Sequence, residues 1–306
     1  MNEGTKSIMQ AGTMGCSLRM KPACENTYVR ELFFTYNCSS KCKNCPHITT
    51  SDINMPFEIA AWAVSTAEDT AWRRRMDALR IQMAGGDPLT RFEELKAFAG
   101  WMWEMPWRLP VSLGFTTDGS TLSGEAAAWL ERNRERIHMS YCWNGSHGRE
   151  RWENSSILRS GLVDTVFWCL DRESLEHFRE ETKLIMDAGK RVCVEYTDID
   201  SWKDETMKKY LLELCAAFPT VKQRREFLGT FYSCAADRHN MIDAVDTDGR
   251  RYHCRYLSPE RMIYSSLKHL DYQALIEDGV CPAGKSILMR RKKQAQLQKL
   301  LDILVT

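Results

Sequence analysis

Six short runs of apolar, β-branched and aromatic residues take turns with segments of helical period along this chain, and no other feature narrows its fold as far. The runs are VRELFFTY (29–36), LRIQMA (79–84), LPVSLGFTT (109–117), IHMSYCW (137–143), DTVFWCL (164–170) and KRVCVEY (190–196), each with the length and composition of a buried strand. Apolar residues recur at three- and four-residue spacing in PFEIAAWAVSTAEDT from Pro56, FEELKAFAGWMWE from Phe92, SGEAAAWLERNRER from Ser123 and SLEHFREETKLIMDAG from Ser174. The last closes on Gly189, the residue type that best accepts the left-handed conformation after a helix. A further helix is expected over 202–217. Strand followed by helix, repeated, calls for parallel strands, because a parallel partner is reached only by a long crossover. The expected class is α/β, as a barrel or an open sheet. In both, ligand sites gather at the carboxyl ends of the strands.

A chain of 306 residues accommodates one large domain or two smaller ones around a substantial core. With 43% hydrophobic and 27% charged residues, it has a globular rather than a disordered composition. A formal net charge of +1 provides no global field to draw it to nucleic acid or a membrane surface, and neither is an expected partner. No apolar run approaches the roughly 18–20 residues of a membrane helix. The amino-terminal MNEGTKSIMQAGTMGCSLRM has a Gly15-Cys16 pair but lacks the apolar stretch of a signal peptide. Residues 1–27 are read as a leader segment, and the protein as soluble and cytoplasmic. Twelve cysteines are many for such a chain. Disulfide frameworks belong mainly to small secreted domains, so metal or redox use is expected for some of them. Core packing is expected for Cys169, Cys193 and Cys215, which lie in apolar periodic segments.

The densest cysteine group stands at a strand end. FFTYNCSSKCKNCPHITT, Phe33 to Thr50, places Cys38, Cys42 and Cys45 just past the first run, with no fourth cysteine in the loop. A structural zinc site normally takes four protein ligands. Three thiolates suit instead a [4Fe-4S] cluster with one iron open to a substrate or cofactor. A non-catalytic iron-sulfur or zinc-binding module is the contrasting alternative.

Cys-x3-Cys-x2-Cys at this place resembles the hallmark of the radical SAM superfamily, where the motif follows the first barrel strand. Three more strand ends carry similar segments in the family's order. Gly85-Gly86-Asp87-Pro88 resembles the Gly-Gly-Glu-Pro segment whose backbone holds the amino group of S-adenosylmethionine, and glycine belongs where backbone comes close to a ligand. FTTDGSTLS, with Thr117 and Asp118, is similar to the family's Thr-Thr-Asn-Gly turn, and IHMSYCWNG, with Ser140, to its Ile-Ser-Leu-Asp-Gly. The resemblance covers about residues 28–200. It implies a partial (β/α)6 barrel over 28–217 and a [4Fe-4S] cluster on Cys38, Cys42 and Cys45. It also implies S-adenosylmethionine held by Gly85, Gly86, Asp87, Pro88, Thr117, Asp118, Ser140 and Glu195. Three positions depart from the pattern: Asp87 replaces glutamate, Asn44 stands where an aromatic residue lies near the adenine, and Cys142 replaces aspartate. Cys142 is the candidate catalytic residue, a thiol placed to donate hydrogen if it faces the site; core packing is the favoured reading of it, and with net oxidation of the substrate it is expected to be dispensable as a donor.

In the last third, MIDAV, DTDG and RRYHC read as a β-hairpin. Cys234-x14-Gly249-x4-Cys254, followed by Cys281, resembles the opening of the SPASM and twitch domains. That resemblance implies one auxiliary [4Fe-4S] cluster on Cys234, Cys254 and Cys281 in a small α+β domain over 218–306. Its fourth ligand is left open among His239, His253, Cys16, Cys24 and the substrate. Leu297, Leu300, Leu301 and Leu304 line one face of an expected amphipathic terminal helix that docks on the barrel. The implied activity is reductive cleavage of S-adenosylmethionine to a 5'-deoxyadenosyl radical, which abstracts hydrogen from an unactivated carbon to oxidise or cross-link a ribosomally made peptide. A small-molecule dehydrogenase and a peptide epimerase are the alternatives. The implied partners are the peptide or small-molecule substrate, a one-electron donor such as flavodoxin or ferredoxin, and a separate leader-peptide-binding protein.

Overall fold

The computed structural model describes residues 26–40, 52–196, 201–220, 222–224, 227, 243–252, 292–293, 295–297 and 299–301. All six expected strands form: β1 Thr27–Thr35, β2 Ala78–Gly85, β3 Val111–Thr117, β4 Ile137–Trp143, β5 Val163–Leu170 and β6 Arg191–Tyr196. They lie side by side in chain order, and each neighbouring pair among them is parallel. The intervening helices are α1 Phe57–Arg73, α2 Phe92–Glu104, α3 Gly124–Arg132, α4 Gly145–Asn154, α5 Ser156–Arg159 and α6 Phe178–Asp187, with α7 Asp204–Ala217 after β6. No helix among the described residues is long and apolar enough to cross a membrane.

Sequential strand order has a geometric consequence. Crossovers of one hand, stepping always in the same direction, leave their helices on one face of the sheet. The core lies on that face. Leu79, Ile81 and Met83 of β2, Leu113 and Phe115 of β3, Met139 and Trp143 of β4, and Val166 and Trp168 of β5 share one apolar cluster with residues of α1, α2, α3, α6 and α7. Successive strand residues point to opposite faces, so the other face receives Glu31, Arg80, Gln82, Ser112, Thr116, His138, Ser140, Cys142, Thr165 and Cys169, together with Phe33 and Phe167. A parallel sheet is ordinarily apolar on both faces. Here one face is mostly polar, and that is where polar chemistry has room. With β6 at one edge, the sheet is a partial barrel that does not close.

Two local expectations differ from what forms. The segment from Ser174 makes a 3₁₀ turn, Ser174–Glu176, before α6 begins at Phe178. Asp171 causes this by accepting from both the backbone N–H and the hydroxyl of Ser174, at 2.8 and 2.7 Å. The glycine- and serine-rich stretch after β4 is not among the expected helices, yet it folds as α4 and α5. Trp152, Ile157 and Leu158, buried in the core, anchor it.

The expected hairpin forms from β7 Asp243–Val245 and β8 Arg251–Tyr252, which pair antiparallel. Its turn closes through Asp246 N–H to the Arg250 carbonyl at 2.9 Å, with Gly249 at φ +84°. β7 also pairs in parallel with β1, Arg30 opposite Asp243, so the hairpin continues the barrel sheet. A buried network fixes this join. Arg30, wholly buried, forms an ion pair with Asp243 and donates to the Ala63 carbonyl at 2.9 Å and Thr66 Oγ1 at 2.7 Å. Tyr28 and Arg251 also donate to Asp243. Burial works against ionisation of the Asp243 carboxyl, but Arg30, Tyr28 and Arg251 outweigh it and hold that carboxyl below the usual range. Near the carboxyl terminus, helical Leu297 and Leu301 are buried in the core, and Lys293 Nζ donates to the Trp202 carbonyl at 2.7 Å, as a docked amphipathic helix requires.

Candidate functional site

Cys38 follows β1 by three residues, and the chain around it is pinned on every side. Thr35 bridges Asn54, Tyr36 N–H donates to the Ile53 carbonyl at 3.0 Å, and Met55 N–H to the Phe34 carbonyl at 2.9 Å. These contacts make a neck from which the cysteine loop leaves and to which it returns. From β2, Gly86 N–H donates to the Thr35 carbonyl at 2.6 Å and Asp87 N–H to the Asn37 carbonyl at 2.9 Å. From the β3 side, the Ser120 hydroxyl hydrogen-bonds that of Ser39. Cys38, half-buried, is therefore held between residues tied to the ends of β2 and β3.

The glycine pair serves this packing. A Cβ on Gly85 would sit 2.3 Å from the Thr35 carbonyl oxygen, and one on Gly86 2.0 Å from that of Asn37; Gly85 also has φ +97°. The close approach observed is thus of chain to chain, where the sequence pointed to chain and ligand. Pro88 starts the 3₁₀ turn Pro88–Arg91, and Asp87 caps it, its Oδ1 accepting from Leu89 N–H at 2.9 Å. The Thr117 hydroxyl donates to Asp87 Oδ2 at 2.7 Å, and Asp118 N–H to the same oxygen at 3.3 Å. One carboxyl therefore ties the ends of β2 and β3 together. Its burial pushes its pKa up to about 6 in spite of these donors. Asp118 accepts from Ser120 N–H and forms an ion pair with Arg151 of α4, both at 2.8 Å. Arg151 has no signal in the sequence, since α4 is not among the expected helices.

On the polar face, Ser140 is wholly buried and stands in register with Thr165 of β5. Neither hydroxyl meets a hydrogen-bond partner among the described residues. Arg80 and Gln82 lean across β3, where Gly114 leaves them room: a Cβ there would lie 2.3 Å from Gln82 Oε1 and 3.3 Å from Arg80 Cδ. Arg80 Nη2 reaches His138 Nε2 of β4 at 3.3 Å. The alternation in LRIQMA already separates Arg80 and Gln82 from Leu79, Ile81 and Met83, and this is the signal that would have found them. Core packing of Cys142 and Cys169 does not occur. Both are half-buried on the polar face, because their neighbours Tyr141, Trp143, Trp168 and Leu170 take the core side. Cys193 is buried and Cys215 packs partly against the core. Glu195 lies opposite Cys169 in the β5–β6 register.

The structure thus brings together Cys38, Gly85, Gly86, Asp87, Pro88, Thr117 and Asp118 at the carboxyl ends of β1 to β3, with Ser140 and Cys142 on β4 beside them. Cys42, Asn44, Cys45, Cys234, Cys254, Cys281, His239, His253, Cys16 and Cys24 lie outside the described residues. An apolar hollow lined by Phe34, Met55, Phe57 and Phe98 opens on the helix side of β1, away from these groups.

No protein-family model matches the chain, and no curated protein does. Solved structures do. The chain is similar to the radical SAM enzyme anSMEcpe solved with bound AdoMet and Cp18Cys peptide, with a TM-score of 0.56 and 14% identity over 76% of this chain and 75% of that one. A histidine-tagged form of anSMEcpe with bound AdoMet has a TM-score of 0.54 and 13% identity, over 77% and 73%. The native protein with bound AdoMet has a TM-score of 0.52 and 13% identity, over 78% and 81%. The fold of this chain is the partial barrel of the radical SAM type.

Proposed function

We propose that this chain is a radical SAM enzyme that binds S-adenosylmethionine at the carboxyl ends of β1 to β4 and oxidises or cross-links a ribosomally made peptide. The observation that carries this reading is the locking of the Cys38 segment to the Gly85-Gly86-Asp87-Pro88 turn and, through Ser39 and Ser120, to the end of β3. That the fold is shared with a protein solved with AdoMet and a peptide supports it.

The residues present fit the cofactors. Three thiols at cluster spacing belong to a loop that leaves a neck of backbone hydrogen bonds, and a buried hydroxyl on β4 has no hydrogen-bond partner among the described residues, as a ribose contact would require. Cys38, Cys42 and Cys45 would hold a [4Fe-4S] cluster, and with S-adenosylmethionine and one electron from a flavodoxin- or ferredoxin-type donor it supplies the 5'-deoxyadenosyl radical that abstracts hydrogen. The chain's own part is placement. Gly85 and Gly86 keep the turn pressed on Thr35 and Asn37, Asp87 sets the spacing between the ends of β2 and β3, and the Ser140 hydroxyl is free to pair with a ligand hydroxyl. The polar face of the sheet orients the substrate, and an auxiliary [4Fe-4S] cluster on Cys234, Cys254 and Cys281 belongs to the same reading. A leader-binding partner would present the peptide.

The half-buried Cys142 thiol on the polar face favours a second reading, peptide epimerisation, in which that thiol returns hydrogen to the substrate carbon. Product made in deuterated water separates the two: a two-hydrogen mass loss marks oxidation, and a one-unit gain that Cys142→Ala abolishes marks epimerisation. The radical SAM assignment itself is tested on protein purified without oxygen and reconstituted with iron and sulfide. Wild type should form 5'-deoxyadenosine from S-adenosylmethionine under dithionite, and the Cys38→Ala/Cys42→Ala/Cys45→Ala variant should not. A triple variant that still forms it above the cluster-free background overturns the assignment.

A further inference from the structure

We propose that Thr165 of β5 joins Ser140 of β4 in a pair of hydroxyls that grips the cis-diol of a ribose, so that both sugar hydroxyls of S-adenosylmethionine are read by side chains. Ser140 is wholly buried and Thr165 is 1% exposed, yet neither hydroxyl meets a hydrogen-bond partner among the described residues. Buried polar groups are nearly always paired, so two orphans side by side point to a ligand. They do stand side by side: Ser140 is opposite Thr165 in the register of two parallel strands, which sets them about 4.8 Å apart with both side chains on the polar face. An irregularity in the pairing puts Thr165 there. Met139 lies opposite Val163 but Ser140 opposite Thr165, so β5 carries one extra residue between these pairs. With even pairing Asp164 would face Ser140, and Thr165, one position on, would turn its hydroxyl toward the core. Bulges recur next to active sites, where they re-aim a side chain in this way.

The core side of the sheet holds both residues in place. Met139 and Tyr141, on either side of Ser140, and Val166, next to Thr165, belong to the apolar cluster, and the Tyr141 hydroxyl donates to the Gly148 carbonyl at 2.7 Å. Neither member of the pair is charged, so the group it fits is neutral and both gives and takes hydrogen bonds. A diol does this, since each of its hydroxyls is a donor and an acceptor, as is each hydroxyl of the protein pair. Two protein hydroxyls one strand spacing apart engage the oxygens on two adjacent carbons, one each, and their burial keeps out the water that would compete. The pair and its burial rest on β4 and β5 alone; the identity of the sugar as that of S-adenosylmethionine rests on the function proposed above.

The test is binding, measured by anaerobic equilibrium dialysis of reconstituted protein without reductant, so that no cleavage intervenes. The probes are S-adenosylmethionine and its 2'-deoxy and 3'-deoxy forms. Wild type should prefer the parent compound about tenfold over each deoxy form, because a site built to bond a hydroxyl rejects the analogue that lacks it. Thr165→Val keeps the side-chain shape without the hydroxyl. It should lose the preference over one deoxy form and keep it over the other, Ser140→Ala should show the complementary pattern, and Thr165→Ser should behave as wild type. Denaturant unfolding before reconstitution should find Thr165→Val at least as stable as wild type, since the change removes a buried orphan. A less stable Thr165→Val with unchanged preferences would make Thr165 structural and overturn the proposal. Wild type that binds all three compounds equally would sink the diol reading alone, whereas wild type that binds none of them would sink it together with the proposed function.

Discussion

At Gly86 a single added carbon would sit 2.0 Å from the Asn37 carbonyl oxygen, while at Gly100, in the middle of α2, it would meet nothing within 4 Å. The two glycines should therefore answer alanine in opposite directions. Gly86→Ala forces two backbone segments apart and should cost about 1–3 kcal/mol, with lower cluster occupancy because Asn37 precedes Cys38. Gly100→Ala should stabilise by about 0.5–1 kcal/mol, since glycine is a poor helix former. Denaturant unfolding of both variants measures the pair, and equal effects would mean that the packing at Asn37 is not tight. Ser140 makes a different kind of prediction. Its buried hydroxyl has no partner among the described residues, so Ser140→Ala should leave the fold as stable or gain about 1 kcal/mol. The same change should weaken S-adenosylmethionine binding about tenfold, on the order of 1.4 kcal/mol. A loss of stability with unchanged binding would make the residue structural. The residue types at these positions were legible in the sequence, but their partners were not, because Asn37, Thr35 and Asp87 meet only after β1, β2 and β3 are laid side by side.

Elements are joined here by a few buried polar links, and these respond to charge. Glu181 of α6 is 3% exposed and accepts from Trp143 of β4; burial raises its pKa to about 7. The neutral carboxyl is the one the fold favours, so this group's contribution is full below its unfolded pKa of about 4.5 and is lost as pH rises through about 7. Glu181→Gln, which keeps an oxygen for the indole, should therefore gain on wild type between about pH 4.5 and 7.5. The gain should reach about 3 kcal/mol, from the size of the shift at 1.36 kcal/mol per pKa unit. Chemical denaturation of both proteins across that range checks it, and parallel stability curves would show that Glu181 is solvated. The hairpin join behaves otherwise. Asp243→Ala would leave the wholly buried Arg30 guanidinium without its carboxylate, at a cost of about 3–5 kcal/mol. Arg251→Ala, at a side chain 43% exposed, should cost less than about 1 kcal/mol. Hairpin and strands could be read from turn chemistry and alternation. The pairing of β7 with β1 could not, since it joins residues 213 apart in sequence.

For the molecule as a whole, the segregation of polar and apolar residues between the two faces of one parallel sheet is the feature that makes room for chemistry. If two separate cysteine sets each hold a cluster, reconstituted protein should carry about eight irons per chain, four for each [4Fe-4S] group. Replacing Cys234, Cys254 and Cys281 should lower this to about four while leaving uncoupled cleavage of S-adenosylmethionine measurable. Full iron content and normal turnover in that variant would mean that these cysteines bind no cluster.

The α/β class, the six barrel strands and most of the helices follow from local pattern alone, because hydrophobic period and turn residues act over a few positions and do not depend on the rest of the chain. The faces that Cys142 and Cys169 occupy, the helix that brings Arg151 to Asp118 and the joining of β7 to β1 were decided by tertiary structure. Each depends on which of two faces is buried or which distant element arrives, and that competition is settled by packing the whole core at once.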